Sequence, residues 1–430
     1  MTQNLMEKIV SLCKRRGFIF PSSEIYGGLG GIWDYGPLGI ELKNNIKKEW
    51  WKTMIQERDD VVGLDSSILM NSKVWQASGH ATHFTDPMVD CKRCKKRFKA
   101  DEIDGQKCSE CGGELTEARP FNMMFKTYIG PVEDSAAQTY LRPETAQGIF
   151  VNFKNVLDSI HKKLPFGIAQ IGKAFRNEVT PGNFIFRCRE FEQMELEYFI
   201  KPEEDEKWFN YWTEQRYRWF LNLGIKEKNL KIVKIAKKDL AHYSKATSEL
   251  HYRWPFISKN EGFGELEGIA NRTDYDLKNH QEFSKQDLLY FDEENKRRYF
   301  PYIIEPSLGV DRAFLAFLID AYNEEEERIV LKIHPKLAPY KVAVFPLLAN
   351  KPQLIRKAYE VYQLLKPYFM TAWDDRGNIG KRYKSQDEIG TPWCITIDFE
   401  TLENNTVTLR ARDTMKQERI SIEEIINKIQ

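Results

Sequence analysis

The sequence has no apolar run long enough to span a bilayer, and its first residues, MTQNLMEKIVSLCKRRG, lack the apolar centre and cleavage site of a secretory leader. No membrane partner is expected, and the cytoplasm is the expected compartment. An excess of charge is missing too: 64 lysines and arginines meet 63 aspartates and glutamates, for a net charge of +1. No overall field draws nucleic acid to the chain, so such a partner has to be held by local basic patches. Cysteine is scarce and odd in number. Seven stand at 13, 91, 94, 108, 111, 188 and 394, a pattern that argues against a disulfide framework and suits a reducing compartment with one metal site. Four glycines at 27, 28, 30 and 31 are followed by neither a lysine–serine pair nor a dinucleotide fingerprint. That leaves a glycine-rich turn feeding a helix.

What is present suits a folded chain of two or three domains: 430 residues, 42% hydrophobic and 13% aromatic. A short helix is expected over Met1–Gly17. Leu42, Ile46, Trp50 and Met54 recur every fourth residue and predict an amphipathic helix over Gly39–Arg58. Val61–Met70 then reads as a strand. A further helix over Lys201–Leu223 carries Trp208, Trp212 and Trp219, an aromatic stripe that belongs to core packing. Glu265–Ala270 returns to strand character, and its acids either bind Mg²⁺ or face solvent.

Cys91-Lys92-Arg93-Cys94 and Cys108-Ser109-Glu110-Cys111 form two CxxC knuckles thirteen residues apart. Four thiolates can converge tetrahedrally on Zn²⁺, and four such ligands leave no open position, so the expected metal is structural. The basic residues around the knuckles either form a solvated face or touch a nucleic-acid partner.

The stretch GIAQIGKAFRNEVTPGNFIFRCREFEQMELEYF, Gly167–Phe199, organises the rest. Ile168–Phe175 and Phe184–Phe199 read as antiparallel strands joined by the turn residues Thr180-Pro181-Gly182-Asn183. Alternation puts Arg187, Arg189 and Phe191 on one face and Glu190, Glu192 and Met194 on the other. Arginine forks beside an aromatic suit phosphate and a stacked base, whereas a surface ion-pair ladder is the plainer account of the same charges.

Phe175-Arg176-Asn177-Glu178, a loop, then Arg187-Cys188-Arg189-Glu190-Phe191 resembles motif 2 of the class II aminoacyl-tRNA synthetases. Tyr302–Ile319, with Gly309-Val310-Asp311-Arg312 at the strand–helix turn, is similar to motif 3. The helix and strand over residues 39–70 resemble motif 1, which builds the dimer interface in that class, but no proline follows the strand until Pro87. Together with LRPETAQG at 141–148, GELEGIANRTDYDL and IGKRYKSQDEIGTPWC, these stretches resemble the single-chain, homodimeric glycyl-tRNA synthetases over nearly the whole length.

The resemblance implies an α+β fold: an antiparallel synthetase sheet flanked by helices over residues 1–335, a zinc-ribbon-like insertion at 88–118, and an α/β anticodon-binding domain at 336–430. It implies adenylation of glycine by ATP and transfer to tRNA(Gly) by a homodimer, with Mg²⁺ accompanying ATP. Arg176 and Arg312 are then the catalytic cations. ATP falls to Arg176, Asn177, Glu178, Phe186, Arg187, Phe191, Glu265, Leu266, Gly309, Asp311 and Arg312. Glycine falls to Glu144, Phe191, Glu192, Gln193, Met194, Glu195, Glu305, Ser307 and Gly309.

After Pro335 the pattern alternates β and α, as a separate mixed-sheet domain does. Lys381-Arg382-Tyr383-Lys384 reads as a basic loop offering charge and an aromatic surface to single-stranded bases. The same residues superficially match a class I synthetase loop, but the nearest partner motif, SGHATH at 78–83, precedes the knuckles and lies on no Rossmann unit. Two rivals share parts of the pattern: another class IIa synthetase with a roomier pocket, and a non-catalytic relative, which should lack the arginines at 176, 187 and 312.

Overall fold

The computed structural model describes residues 4–429 apart from 101, 102, 104, 106, 135 and 136. The first helix is Leu5–Arg16; Met1–Gln3 of the expected helix lie outside the described residues. Its start is fixed by a capping box between Asn4 and Glu7 and its end by Gly17 at φ +73°.

The larger sheet has seven strands: β1 Val61–Gly63, β2 Phe166–Phe175, β3 Glu190–Ile200, β4 Leu230–Lys234, β5 Ala246–Arg253, β6 Phe263–Thr273 and β7 Tyr302–Gly309. Their spatial order is β4-β5-β6-β7-β3-β2-β1, antiparallel throughout except where β1 runs parallel to β2. Alternation along β3 separates two environments. Met194, Leu196, Tyr198 and Ile200 enter a core shared with the helices Pro37–Trp51, Asp205–Asn222 and Val310–Ala321. On the other face Phe199 joins Phe150, Phe153 and Phe166 beneath the helix Ala146–Ile160, leaving Phe191, Gln193, Glu195 and Glu197 in the middle of the sheet.

Two expected strands are shorter than the sequence pattern. Of Val61–Met70 only Val61–Gly63 joins the sheet, and Leu69 makes an isolated antiparallel bridge to Leu141. The second limb of the hairpin begins at Glu190, because Phe184–Phe186 forms a turn of 3-10 helix after Asn183 and Phe184, both at positive φ. Arg187 and Arg189 therefore precede the strand, and their alternation with Phe191 does not apply. Arg189 donates to the carbonyls of Gly30 at 2.6 Å and Glu178 at 2.9 Å, so it clamps the glycine-rich turn to the hairpin.

The tail is a five-stranded mixed sheet, ordered Thr371–Trp373, Val342–Pro346, Trp393–Ile397, Thr406–Ala411, Gln417–Ser421. The first three strands are parallel and the remaining pairings antiparallel. The expected basic loop is the helix Ile379–Ile389, started by the Asn378 side chain and ended by Gly390 at φ +84°. Arg382 is buried and donates to the carbonyls of Asp375, Arg376 and Gly377 as well as Pro346, while the Tyr383 hydroxyl meets Thr396. Of the four residues expected to face bases, these two serve the interior. A buried cluster ties the tail to the segment ahead of it: Asp387 accepts from Arg410 at 2.8 and 2.9 Å and from Arg328 at 2.7 Å.

Candidate active site

One row of side chains crosses the sheet. Gln170 of β2 is paired with Glu195 of β3, Glu195 with Ser307 of β7, Ser307 with Gly268 of β6, and Gly268 with Glu249 of β5. Two adjoining clefts of about 310 Å³ each open on this face. Arg176, Gln193, Glu265 and Ser307 line both.

The first cleft is rich in arginine. Arg176, Arg187 and Arg312 line it together with Glu178, Phe186, Phe191, Leu266, Gly309 and Asp311. Arg176 leaves the end of β2, is held by the Pro143 carbonyl at 3.0 Å, and has its guanidinium carbon 5.3 Å from the Phe191 ring centroid. Arg312 stands in the first turn of Val310–Ala321, 4.5 Å from the Phe186 ring and 3.0 Å from Glu265. A cation at that end opposes the helix dipole, and Glu265 offsets it. Arg312 in turn draws the Glu265 carboxyl below its usual range. Asp311 lines the cleft, but its oxygens are engaged by Tyr35, by Lys43 at 3.3 Å and by the Glu192 N–H at 2.9 Å. Asn177 is not among the lining residues; its N–H donates to Met123 at 2.7 Å.

The second cleft is acidic. Glu195 accepts from the Thr145 N–H at 2.9 Å, the Thr145 hydroxyl, Gln193 at 2.8 Å and Ser307 at 2.6 Å. Glu305 accepts from Arg272 at 3.0 Å, and Arg272 also forks onto Asp276 at 2.7 and 2.9 Å. Glu144 lies 3.2 Å from His80 and accepts from Gln147 at 3.0 Å. Behind them Glu197 is fully buried, and neither of its oxygens has a hydrogen-bond partner. Burial, with Glu305 next to it, pushes Glu197 far above the carboxylate range, so it is held as the neutral acid. Burial, with Glu195 and Glu144 as neighbours, likewise pushes Glu305 up to about 8 against the pull of Arg272, whose charge is shared with Asp276. Glu144, Glu195 and Glu305 line a chamber suited to a small cation, with Arg272, Asp276 and Glu197 behind them.

Gln193, Glu195, Glu305 and Ser307 thus converge as the sequence suggests, with Glu144 beside them. Phe191 and Gly309 lie on the arginine side. Glu192 and Met194 do not join the chamber, because alternation turns them to the opposite face. Glu192 pairs there with Lys43 at 2.8 Å and Lys47 at 3.1 Å, and Met194 is core. Sequence reasoning missed Thr145, Arg272, Asp276 and Tyr243, whose ring lies 3.9 Å from the Arg272 guanidinium. It also missed Lys99, which reaches the arginine cleft from the knuckle insertion and lies 2.5 Å from Asp86. Thr145 and Arg272 sit within the quoted LRPETAQG and ANRTDYDL stretches, which was the available signal.

The four knuckle sulfurs converge, with all Sγ atoms within 4.8 Å of one another. Cys91 and Cys111 are 3.5 Å apart and Cys94 and Cys108 are 3.7 Å apart, close to the ~3.8 Å edge of a tetrahedron with Zn–S bonds of about 2.3 Å. The Cys94 N–H donates to Cys91 Sγ at 3.4 Å, a contact that favours a thiolate ligand.

Residues 126–322 match the tRNA synthetase class II core domain (G, H, P, S and T), and residues 341–430 match the anticodon binding domain. A glycine–tRNA ligase of Alkaliphilus oremlandii is 55% identical over 99% of this chain and 97% of its own. Another, of Geobacillus kaustophilus, is 55% identical over 98% of this chain and 97% of its own. The chain belongs to the glycine–tRNA ligase family. Its fold, a class II synthetase core with an anticodon-binding domain, also matches a solved prolyl-tRNA synthetase of Cryptosporidium parvum. That match has a TM-score of 0.68 and 16% identity, covering 100% of this chain and 76% of the other. Among the described residues no helix is long and apolar enough to cross a membrane.

Proposed function

We propose that the chain activates glycine with ATP and passes the glycyl group to the 3′ end of tRNA(Gly), with the two clefts dividing the first step. The observation that carries this reading is the meeting of an arginine-lined cleft and an acid chamber at Arg176. In the first step a glycine carboxylate oxygen bonds to the α-phosphorus as the bond to pyrophosphate breaks. In the second, a terminal ribose hydroxyl attacks the glycyl carbonyl and AMP leaves. No residue becomes covalently attached, so catalysis is placement and charge stabilisation.

Arg176, shared by both clefts, meets the α-phosphate and the glycine carboxylate. Arg187 and Arg312 hold the outer phosphates, Phe191 stacks on adenine, and Glu178 accepts from its amino edge. Glu265, an oxygen donor at the cleft, suits the hard Mg²⁺ ion that comes with ATP and offsets phosphate charge. In the chamber Glu144, Glu305 and Ser307 receive the ammonium, and Glu195, held by four donors, orders the floor. Selectivity is assigned to the grip on the ammonium and carboxylate, which has to set the glycine α-carbon where a methyl would meet a wall; exclusion of that kind needs no separate editing step.

The knuckles at 88–118 fit structural Zn²⁺, held by Cys91, Cys94, Cys108 and Cys111. Residues 1–335 form the catalytic domain and 336–430 bind the anticodon. We assign the functional unit as a homodimer, and the cytoplasm as its compartment, where seven free cysteines stay reduced. ATP–pyrophosphate exchange with each amino acid in turn tests the activity. Exchange with glycine alone is expected; exchange with proline, threonine or histidine, or none at all, sinks it.

A further inference from the structure

The Ser78–His83 stretch, of no use as a class I motif, reaches the acid chamber. His80 opens the short helix His80–His83. Its Nε2 is 3.2 Å from Glu144 Oε2 and its Nδ1 is 2.8 Å from Ser78 Oγ. The ring is wedged edge-on against Trp75, with centroids 5.7 Å apart, and beside Phe84 at 5.2 Å. The backbone is pinned as well, since Asn122 Nδ2 donates to the carbonyls of His80 and Ala81, each at 3.1 Å. Both ring nitrogens are therefore committed, and the imidazole has little freedom to turn.

Glu144 needs such a partner. It shares the chamber with Glu195 and Glu305, whose carboxyls its charge pushes up, and burial disfavours that charge. Its Oε1 is fixed by Gln147, which is itself held by Asp276 at 3.1 Å and lies 2.8 Å from His280. Its Oε2 is met by His80. We infer that His80 is a positioning residue for glycine binding, one that fixes the Glu144 carboxylate in the orientation that receives the substrate ammonium. This rests on the reading of Glu144 as an ammonium ligand. Against burial, the contact from His80, with Arg272 nearby and the Gln147 amide, holds Glu144 below the usual carboxylate range, in keeping with that role.

The experiment is pyrophosphate exchange by the full chain carrying His80→Ala, His80→Gln, Glu144→Gln or the pair His80→Ala/Glu144→Gln, with KM measured for glycine and for ATP. Losing a hydrogen bond to a charged group is worth roughly tenfold or more in binding. His80→Ala is expected to raise the glycine KM by about that factor while leaving the ATP KM within about twofold. His80→Gln, whose amide can donate from nearly the place of Nε2, is expected to recover most of the loss. In the Glu144→Gln background His80→Ala is expected to add little, since it acts through Glu144. An unchanged glycine KM in His80→Ala, equal rises for both substrates, or the full factor persisting in the Glu144→Gln background overturns the inference alone. If Glu144→Gln leaves the glycine KM unchanged, the ammonium reading of Glu144 fails and the inference falls with it. Should His80→Ala not fold, Ser78→Ala, which removes only the Nδ1 partner, stands in. A glycine KM rise that vanishes in the Glu144→Gln background supports the inference, and no rise overturns it.

Discussion

Arg312 Nη1 lies 3.0 Å from Glu265 Oε2, and the guanidinium carbon sits 4.5 Å from the Phe186 ring. The ion pair holds a helix-terminal cation at the cleft, where an incoming phosphate can take over from the carboxylate. Arg312→Ala and Arg176→Ala should each lower glycine-dependent pyrophosphate exchange by about a hundredfold or more, the usual cost of one lost charge-stabilising donor. Near-normal exchange in either folded variant would remove that arginine from the catalytic set.

Gly268 lies in the row that floors the acid chamber, and a Cβ built there meets nothing within 4 Å. The protein itself therefore tolerates the added methyl, which takes space from glycine in the chamber proposed as its site. Gly268→Ala should keep a melting temperature close to that of the parent and raise the KM for glycine several-fold, since displaced contact on the scale of one methyl is worth ~1–3 kcal/mol. A variant that melts early with an unchanged glycine KM would show that the floor lies elsewhere.

The sign of the pH effect follows from Glu305. Its ordinary value is 4.5 and its folded value about 8, so between these limits the folded chain holds a proton that the unfolded chain has lost. Its contribution to stability therefore falls as pH rises through that window, by up to ~1.4 kcal/mol per pH unit. A bound ammonium favours the ionised form, so glycine binding should release a proton at about pH 7 and tighten towards about pH 8. Titration calorimetry in buffers of differing ionisation enthalpy reads the released proton; proton uptake would contradict the assignment.

Arg382 gives its donors to backbone carbonyls inside the tail. Arg382→Ala leaves those carbonyls short of a charged donor and should destabilise the tail by about 3 kcal/mol or more, seen as an early transition on thermal unfolding. An unchanged melting curve with weakened tRNA binding would restore Arg382 to the nucleic-acid surface.

The knuckles predict one Zn²⁺ per chain, lost in Cys91→Ser and Cys108→Ser. Elemental analysis of the purified protein checks it. Absence of metal, with all four thiols open to titration, would refute the site.

Much of this was legible in the residues. Thiol spacing gave the knuckles, and the hairpin and the Gly309–Arg312 turn located the arginine cleft, because those signals are local. Less legible was anything set by distance along the chain. Glu192 and Met194 were drawn into the glycine site by proximity in sequence, yet a strand turns neighbours to opposite faces. Arg382 looked like a surface cation until the carbonyls of residues 346 and 375–377 closed around it. His80 and Arg272 meet Glu144 and Glu305 only through tertiary contacts spanning 64 and 33 residues, and no periodicity reports such meetings.

Asp387, on the tail helix Ile379–Ile389, is shared by Arg410 of the tail sheet and by Arg328, which precedes the tail. That sharing bears on domain exchange. A chimera that grafts residues 336–430 onto a foreign core brings the aspartate and one arginine but leaves the other behind, so a buried charge arrives without its full escort. A splice placed ahead of Arg328 keeps the trio intact, so the salt bridge, rather than the visible edge of the tail sheet, is the guide to where such a graft is joined.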